Sequence, residues 1–515
     1  MTGHTLSEML KLAPMEEGRY ERLFWVLAGG FFCFQLLYLW INPYDLAPDE
    51  AYYWTWSKRL AWGYFSKPPL VAWVMALSTA LGGDSPFFVR LGAPVFSFVT
   101  YIALFYLAKG LFNPRVALWS FLLAVTTVGG PLGGLIMTID PPLIAFWALS
   151  LLFLWRAAEG KEAYWYLGGL TLGGGLLSKY TMGALVPSVF AYLLLAPRAR
   201  GWLRKKEPYL WVVIGSLIFL PHLLWEWRHG LVAFRHTTSL VQSRGLSPWT
   251  FLEFVGTQFG LLTPLTFCLV AYGLWRGTRE VLRGGPDPYL FPFCSSAPLL
   301  GLCLAISFTA PCYANWAAPA YLGAFVLAAA SVLEAPWPER RKRRLLGAAV
   351  ALGGAICLLT YGMDLLRALP IPQRDLPTSR IMGWRKLGQE VKGLRERHGG
   401  APFLISHDRR FVAELAFYVP GAFPRVYFYN PKGYPRSQFD LWGGLQQEVG
   451  SDAIYVTKKG RAVPEPLRRA FERCEWAEDV EVTYRGKFVK GFSLYLCEGF
   501  KGLPLTSPRG GDRGD

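Results

Sequence analysis

The sequence predicts a mainly α-helical membrane protein, with a bundle of about eleven transmembrane helices followed by a small α/β domain. Of its 515 residues, 52% are hydrophobic and only 17% are charged, whereas soluble domains carry about a quarter charged residues. Apolar runs of roughly membrane-spanning length recur from Arg22 to Leu366. The net charge of +17 does not indicate nucleic-acid binding, because the basic residues cluster in short loops between apolar runs.

Basic residues predict the topology of the bundle. Lys11, Arg19 and Arg22 precede the first apolar run, which places residues 1–21 in the cytoplasm, and no cleavable signal peptide is expected there. The next run, Leu70–Leu81, is short for a span. All basic loops fall on one side only if this run lies along the outer surface as a juxtamembrane helix. The predicted spans are then Arg22–Ile41, Phe87–Leu107, Val116–Val128, Leu143–Trp155, Tyr164–Leu177, Met182–Leu195, Tyr209–Trp225, Phe251–Trp275, Leu290–Thr309, Trp316–Leu333 and Leu345–Leu366.

A second domain is expected after the bundle. We divide the chain into residues 22–368 as the transmembrane domain, 369–505 as a soluble α/β domain on the outer face, and 506–515 as a disordered Gly-rich tail. Patterning in the second domain predicts strands, helices and a closing hairpin, at Phe403–Ser406, Arg425–Tyr429, Ala453–Val456, Phe411–Tyr418, Pro464–Cys474, Val480–Tyr484 and Phe492–Cys497. Cys474 and Cys497 can pair if this domain faces an oxidising compartment.

The most unusual stretch lies between the first apolar run and the surface helix. Asp49 and Glu50 open an aromatic segment that includes Tyr53, and Tyr64 and Lys67 close it before Pro68-Pro69. A carboxylate here could act as a general base, Lys67 could hold a lipid phosphate, and Tyr53 and Tyr64 are candidate substrate-binding residues. The structural alternatives are a helix cap for the acidic pair, an interfacial belt for the aromatics and snorkelling for the lysine.

Further polar residues are predicted on the same outer face. Asp140 precedes Pro141-Pro142 at the mouth of a span, Lys179 lies in a turn between two apolar runs, and Asn315 opens a later span. A lysine on the outer face contradicts the positive-inside bias, which favours a functional role. Arg235 and His236 lie in an outer loop that could bind an anionic head group. Asp140 and His236 are the candidate ligands for a divalent metal, although no histidine spacing matches a zinc site.

The motifs Asp49-Glu50-Ala51-Tyr52-Tyr53-Trp54 and Gly63-Tyr64-Phe65-Ser66-Lys67-Pro68-Pro69, with Met137-Thr138-Ile139-Asp140, Ser178-Lys179-Tyr180 and Asn315-Trp316-Ala317-Ala318-Pro319-Ala320-Tyr321, resemble those of GT-C membrane glycosyltransferases. The nearest group is family-39-like, related to protein O-mannosyltransferases and the lipid A aminoarabinose transferase. The resemblance spans about Arg22 to Leu366. It implies that Asp49 is the base, that Lys67 and Asp140 contact the donor, and that juxtamembrane helices occupy the first outer loop. Ser66 stands where the aminoarabinose transferase has a metal-binding glutamate.

The resemblance therefore implies a membrane glycosyltransferase. It would transfer a sugar from a polyprenyl-phosphate donor to lipid A, lipopolysaccharide core, another glycan, a lipid or a protein, by an inverting single displacement on the periplasmic side of a bacterial inner membrane. No cofactor is required by this interpretation, and a divalent metal is left open. No P-loop or Rossmann glycine motif is present for a nucleotide-sugar donor. The alternative is a lipid-linked sugar flippase or transporter, but the sequence shows no paired repeats of that kind.

Overall fold

The computed structural model describes residues 14–42, 44–243, 245–363, 367, 371–399 and 402–503. The tail predicted to be disordered, residues 506–515, lies outside the described residues.

Helices make up most of the described chain, and a single sheet lies near its C-terminus. In chain order the helices are α1 (Pro14–Ile41), α2 (Pro48–Ser57), α3 (Leu70–Gly82), α4 (Pro86–Arg90), α5 (Gly92–Leu111), α6 (Pro114–Val125), α7 (Gly129–Leu135), α8 (Asp140–Ala158), α9 (Ala163–Ser178), α10 (Leu185–Leu195), α11 (Glu207–Arg228), α12 (Val232–Leu240), α13 (Pro248–Leu262), α14 (Pro264–Leu282), α15 (Asp287–Ser307), α16 (Tyr321–Leu333), α17 (Glu339–Tyr361), α18 (Trp384–Arg397), α19 (Arg409–Tyr418), α20 (Gln438–Trp442) and α21 (Glu465–Arg468). The strands are β1 (Phe403–Ser406), β2 (Val426–Phe428), β3 (Ala453–Lys458), β4 (Arg473–Tyr484) and β5 (Lys487–Glu498).

The chain forms two compact units. The helical unit comprises the described parts of Met1–Ile41, Pro68–Val71 and Arg90–Gly362, and the sheet unit comprises those of Asn42–Lys67, Ala72–Val89 and Met363–Asp515. The acidic first loop therefore packs with the C-terminal residues of the chain, which the linear domain division does not predict. The fold class is confirmed, because a predominantly helical chain ends in a small α/β domain.

Among the described residues, six helices are long and apolar enough to cross a membrane, or up to eight if each of two bent helix pairs forms one span. Length and composition thus support fewer spans than the eleven predicted, because several apolar helices are short or broken. Helix α16 is buried along its entire length, as expected for a helix that is apolar on all sides. Small residues allow close packing around it: a Cβ added at Gly273 of α14 would lie 2.6 Å from the Ala328 nitrogen.

The predicted continuous span Phe251–Trp275 is wrong. This segment forms α13 and α14, which meet at an angle of 109°. The break has a local cause, because Thr263 adopts a positive φ of 67° and Pro264 follows it without an N–H to donate to the preceding turn. A second break separates α6 from α7, which are bent by 71°, within the segment predicted as the span Val116–Val128.

The sheet unit is built on a five-stranded sheet of order β2-β1-β3-β5-β4. Strands β1, β2 and β3 are parallel, whereas β3, β5 and β4 are antiparallel neighbours. The predicted strands and the helix at Phe411–Tyr418 are present, but the hairpin strands begin at Arg473 and Lys487, well before the predicted Val480 and Phe492. The predicted helix Pro464–Cys474 is wrong beyond its first turn, because only Glu465–Arg468 is helical and Cys474 lies in β4.

A disulfide joins the closing hairpin. Cys474 and Cys497 lie directly opposite each other on β4 and β5 and are bonded through their sulfur atoms. Gly486, in the turn between the strands, has a φ of 76°, a conformation that glycine adopts without strain. The bond closes a loop with a sequence separation of 23 residues.

We expect reduction of this disulfide, or a Cys474→Ser/Cys497→Ser double substitution, to destabilise the sheet unit by about 2–4 kcal/mol because the unfolded chain gains freedom. Thermal unfolding of the purified full-length protein measures the effect. Cys268→Ser is the control, since Cys268 is a free, exposed cysteine. Free thiols at both positions in the unreduced protein would contradict the assignment.

Candidate active site

The helical unit brings three of the predicted polar residues together. The Asp140 carboxylate accepts a hydrogen bond and ion pair from Lys179 Nζ at 2.8 Å through Oδ1, and a hydrogen bond from Asn315 Nδ2 at 2.7 Å through Oδ2. The side chain of Lys179 is only 9% exposed and that of Asp140 is 20% exposed. We call these three residues the Asp140 cluster. Their pairing explains how an apolar unit accommodates a lysine and an aspartate.

Local sequence places each member of the cluster at the end of a helical element. Asp140 is the first residue of α8, where Pro141 and Pro142 suit an initial helical turn that needs no N–H donors. Lys179 follows α9 directly and has extended backbone angles, so its side chain leaves the helix axis. Asn315 lies in the short 3₁₀ turn Ala314–Trp316. A helix start, a helix end and a 3₁₀ turn thus meet at the Asp140 carboxylate.

A cavity of about 470 Å³ adjoins the Asp140 cluster within the helical unit. Asp140, Asn315, Thr138 and Gln258 supply polar groups to its wall. Most of the other lining residues are apolar or small, and include Gly133, Ile144, Leu261, Leu262, Leu322 and Phe325. A cavity of this volume with a few polar groups among apolar walls is typical of a site for an amphipathic ligand.

Gln258 and Tyr321 stabilise the 3₁₀ turn that contains Asn315 through hydrogen bonds. Gln258 is 3% exposed; its side chain donates to the Ala314 carbonyl at 3.3 Å and accepts from the Tyr321 hydroxyl at 2.9 Å. Sequence reasoning missed Gln258, because a single glutamine in an apolar run is also compatible with an ordinary packed helix. The buried amide fixes the backbone that presents Asn315.

Asp49 lies in the sheet unit, in the first turn of α2. One of its oxygens is 3.3 Å from Arg409 Nη2, with 58% of the Asp49 side chain exposed. Arg409 begins α19, and its guanidinium also lies 4.8 Å from the centre of the Tyr52 ring. Asp49 is therefore an accessible carboxylate whose orientation is constrained by one arginine. Sequence reasoning missed Arg409, which is 360 residues away along the chain.

The other residues of the first loop form a rigid support for α2. Glu50 is fully buried and its Oε2 accepts from the Ala47 backbone N–H at 2.8 Å, so it occupies the capping position of the helix. Tyr64 is fully buried, stacks on Trp56 at 4.5 Å and donates its hydroxyl to the Trp56 carbonyl. Tyr53 is 7% exposed and packs edge-on against Trp56. The cap hypothesis thus describes Glu50, while the residue before it stays accessible.

Tyr52 connects the first loop to the C-terminal residues of the sheet unit. Its hydroxyl accepts from the Gln438 backbone N–H at 2.5 Å, and the Gln438 side chain accepts from the Phe65 N–H at 2.7 Å. Burial raises the pKa of Tyr52 to about 12, so the hydroxyl stays neutral at physiological pH. These bonds hold both halves of the loop on α20.

Three further predicted site residues lie on other elements than the Asp140 cluster: Lys67, Arg235 and His236. Lys67 is half-buried in the sheet unit and pairs through its backbone with Tyr64. In the helical unit, Arg235 and His236 lie on α12, where the Arg235 side chain is exposed and His236 is half-buried. Neither lines the cavity beside Asp140.

The residues present do not fit a metal site of the predicted kind. Both oxygens of Asp140 already accept bonds from nitrogen donors. Across the described residues, no group of three or more His, Cys, Asp or Glu side chains converges as metal ligands do. We therefore derive no catalytic step through a metal.

Comparisons with known proteins show similarity to sugar transferases. Residues 66–225 match the family model described as dolichyl-phosphate-mannose-protein mannosyltransferase. The lipid A galacturonosyltransferase RgtD of Rhizobium johnstonii is 27% identical over 466 residues, which is 89% of this chain and 95% of that protein. An undecaprenyl phosphate-alpha-4-amino-4-deoxy-L-arabinose arabinosyl transferase of Pseudomonas fluorescens is 25% identical over 297 residues, half of each chain.

Solved structures show the same architecture. The crystal structure of ArnT from Cupriavidus metallidurans in the apo state aligns with a TM-score of 0.64 at 15% identity and covers 96% of this chain and 99% of that one. The chain therefore has the fold of ArnT, and the relatives it is similar to are named as glycosyltransferases. The same ArnT bound to undecaprenyl phosphate aligns with a TM-score of 0.63. These relatives are named as sugar transferases rather than transporters, which favours the enzyme over the flippase alternative.

The Asp140–Lys179 pair gives a test that separates structure from function. Removing one partner by Asp140→Asn or Lys179→Met leaves a buried charge uncompensated, at a cost of about 3–5 kcal/mol. The Asp140→Asn/Lys179→Met double variant removes both charges, so we expect its thermal unfolding temperature to recover towards that of the parent.

We expect sugar transfer to stay lost in all three variants if the cluster binds substrate. The measurements are thermal unfolding and transfer activity of the purified full-length protein. A double variant that is both stable and active would show that the cluster is only structural.

Proposed function

We propose that this glycosyltransferase moves a sugar from a polyprenyl-phosphate donor to a hydroxyl group of an acceptor glycolipid, in a single displacement that inverts the anomeric carbon. The observation on which this rests is the Asp140 cluster beside an apolar cavity. The proposal is supported by the relatives: RgtD is named for transfer to lipid A, and the arabinosyl transferase is named for an undecaprenyl-phosphate-linked sugar.

The helical unit is proposed to bind the donor. The apolar part of the cavity would take part of the prenyl chain, and the polar end would take the sugar phosphate. Lys179 Nζ donates to Asp140 at 2.8 Å, and an ammonium group has three N–H donors. Two of them can therefore turn to a phosphate while the Asp140 contact persists. In this role Asp140 orients the lysine and balances part of its positive charge. Asn315 can donate a hydrogen bond from its amide to the sugar or the phosphate.

The sheet unit is proposed to supply the base. Asp49 accepts the proton of the acceptor hydroxyl as its oxygen attacks the anomeric carbon. The bond between that carbon and the phosphate oxygen breaks, and polyprenyl phosphate leaves with the electron pair. In the helical unit Lys179 is the cation proposed to stabilise the departing phosphate, and in the sheet unit Lys67 is proposed as a phosphate-binding cation. Glu50, Tyr53 and Tyr64 are assigned to support of the loop, because their side chains are buried and Glu50 and Tyr64 bond to backbone.

The chemistry is proposed to take place on the periplasmic side of a bacterial inner membrane. The basic segment Arg340-Arg341-Lys342-Arg343-Arg344 opens α17, which suits a cytoplasmic start of that span. The chain would then emerge outside before the sheet unit. The Cys474–Cys497 disulfide suits an oxidising compartment, where such bonds persist.

The roles of Asp49 and Arg409 can be separated. Asp49→Asn should lower kcat roughly 100-fold or more, the usual contribution of a general base. Arg409→Gln should lower kcat roughly 10- to 100-fold with little change in donor KM, since the base is then misoriented. Arg410→Gln is the matched control, because Arg410 pairs instead with Asp408. Steady-state transfer assays with a polyprenyl-phosphate sugar measure kcat and KM of each variant. Full activity of the Arg409 variant would refute its positioning role.

The cavity gives a test of donor binding. Gly133 lines it, and an added Cβ would meet only Ser97 Oγ at 3.4 Å. Gly133→Leu should raise KM about tenfold for a long-chain donor by filling the cavity. It should leave KM for a two-isoprene donor unchanged. Gly301→Leu is the control, because a Cβ there meets nothing within 4 Å and Gly301 is not among the cavity-lining residues. Equal KM changes for both donors would argue against a prenyl chain in this cavity.

A further inference from the structure

The sheet unit contains a pocket that the proposed reaction does not use. It has a volume of about 290 Å³ and is lined by His407, Tyr429, Pro431, Arg436, Pro464 and Pro466. We call it the His407 pocket. Ligand sites in proteins span about 300–1,000 Å³, so this one suits a group the size of a single sugar rather than a lipid chain.

The pocket lies where the parallel strands of the sheet end. His407 directly follows β1, and Tyr429 directly follows β2. Because β1, β2 and β3 are parallel, their carboxyl ends share one edge of the sheet. In open α/β sheets the crevice outside these ends is the usual place for a ligand. No residue of the first loop lines this pocket.

Positive charge predominates around the pocket. Arg436 lines it, and among the charged groups that act on His407 Asp408 comes first, followed by Arg461 and Lys458 with the opposite sign. The neighbouring acid Asp408 is neutralised by Arg410 at 2.6 Å. Asp440 accepts hydrogen bonds from the backbone N–H groups of Arg436 and Ser437 and keeps its negative charge. Arg410, Arg436, Lys458 and Arg461 still outnumber Asp408 and Asp440, so an anionic ligand would meet a net positive charge.

The imidazole of His407 is held in a defined orientation. Its Nδ1 lies 2.5 Å from the Tyr455 hydroxyl, and Tyr455 is fully buried on β3. When the phenol donates to Nδ1, the imidazole proton lies on Nε2, which can then donate to a ligand. Tyr429 is 5% exposed and, with the three proline rings, gives the pocket flat apolar walls. Such walls suit the C–H faces of a sugar ring, while Arg436 and His407 suit its anionic substituent.

We propose that the His407 pocket binds a phosphorylated sugar, with Arg436 and His407 holding the phosphate and Tyr429 contacting the ring. The identity of that sugar as the head group of the acceptor glycolipid rests on the proposed function; the binding itself does not. The pocket would hold an acceptor by a group other than the reacting hydroxyl.

The test measures binding of N-acetylglucosamine 1-phosphate to the purified full-length protein by calorimetry. Arg436→Gln and His407→Gln should each weaken binding about tenfold or more, because each removes a hydrogen bond to a charged group. Arg469→Gln is the control: Arg469 is exposed and pairs with Glu465 close to the pocket. We expect it to bind as the parent does, and N-acetylglucosamine without phosphate to bind far more weakly.

Three outcomes would overturn the proposal. Absent binding by the parent, or equal binding by the parent and both pocket variants, would exclude the pocket as the site. Inorganic phosphate binding as tightly as the sugar phosphate, with the same sensitivity to Arg436→Gln, would show an anion site without sugar recognition. The Asp49→Asn variant separates this proposal from the proposed function. This variant should bind the probe as the parent does. If it loses transfer activity but keeps this binding, the pocket assignment is unaffected.

Discussion

The arrangement of the helical unit depends on the need to neutralise a carboxylate in apolar surroundings. Asp140 starts α8 at a point where neighbouring side chains are apolar, and an unpaired charge there would cost several kcal/mol. Lys179 and Asn315 satisfy both of its oxygens, at 2.8 and 2.7 Å. Because these partners come from the end of α9 and from the turn before α16, one carboxylate fixes three otherwise separate helix ends. The same contacts create a polar end for the adjoining cavity.

In the sheet unit, by contrast, the carboxylate of Asp49 remains accessible. Asp49 and Glu50 are consecutive, yet Glu50 is fully buried as a helix cap while 58% of the Asp49 side chain is exposed. The helical rotation between neighbours separates the two roles: one acid stabilises the start of α2 and the other faces outward. Arg409 restrains the exposed acid from a helix that belongs to the C-terminal part of the chain. Tyr52, bonded to Gln438, keeps these distant segments together.

Much of this structure follows from local patterns in the sequence. The strands β1, β2 and β3 and most apolar helices are near their predicted limits, since each depends on periodicity within about ten residues. The closing hairpin is in its predicted place, but both of its strands are longer than predicted. The polar residues Asp140, Lys179 and Asn315 were singled out because charges are rare in apolar segments. Arg409 and Gln258 were missed because nothing local distinguishes an arginine at a helix start or a glutamine in an apolar helix. Their importance comes from partners 360 and 63 residues away, respectively, which a pattern in one sequence does not reveal.

The two helix breaks that hydropathy did not predict explain why a cavity exists at all. Non-helical backbone inside an apolar bundle is tolerated only where protein or a cavity covers it. Between α6 and α7, the Val128 N–H donates to the Leu261 carbonyl at 2.9 Å, which lies just before the break between α13 and α14. One hydrogen bond thus links the two breaks and satisfies a backbone group of each. Gly129, Gly130 and Gly133 after the first break, and Gln258, Leu261 and Leu262 before the second, all line the cavity. Two continuous spans would have packed along their length and closed this space, so the bends that interrupt the predicted membrane helices shape the proposed donor site.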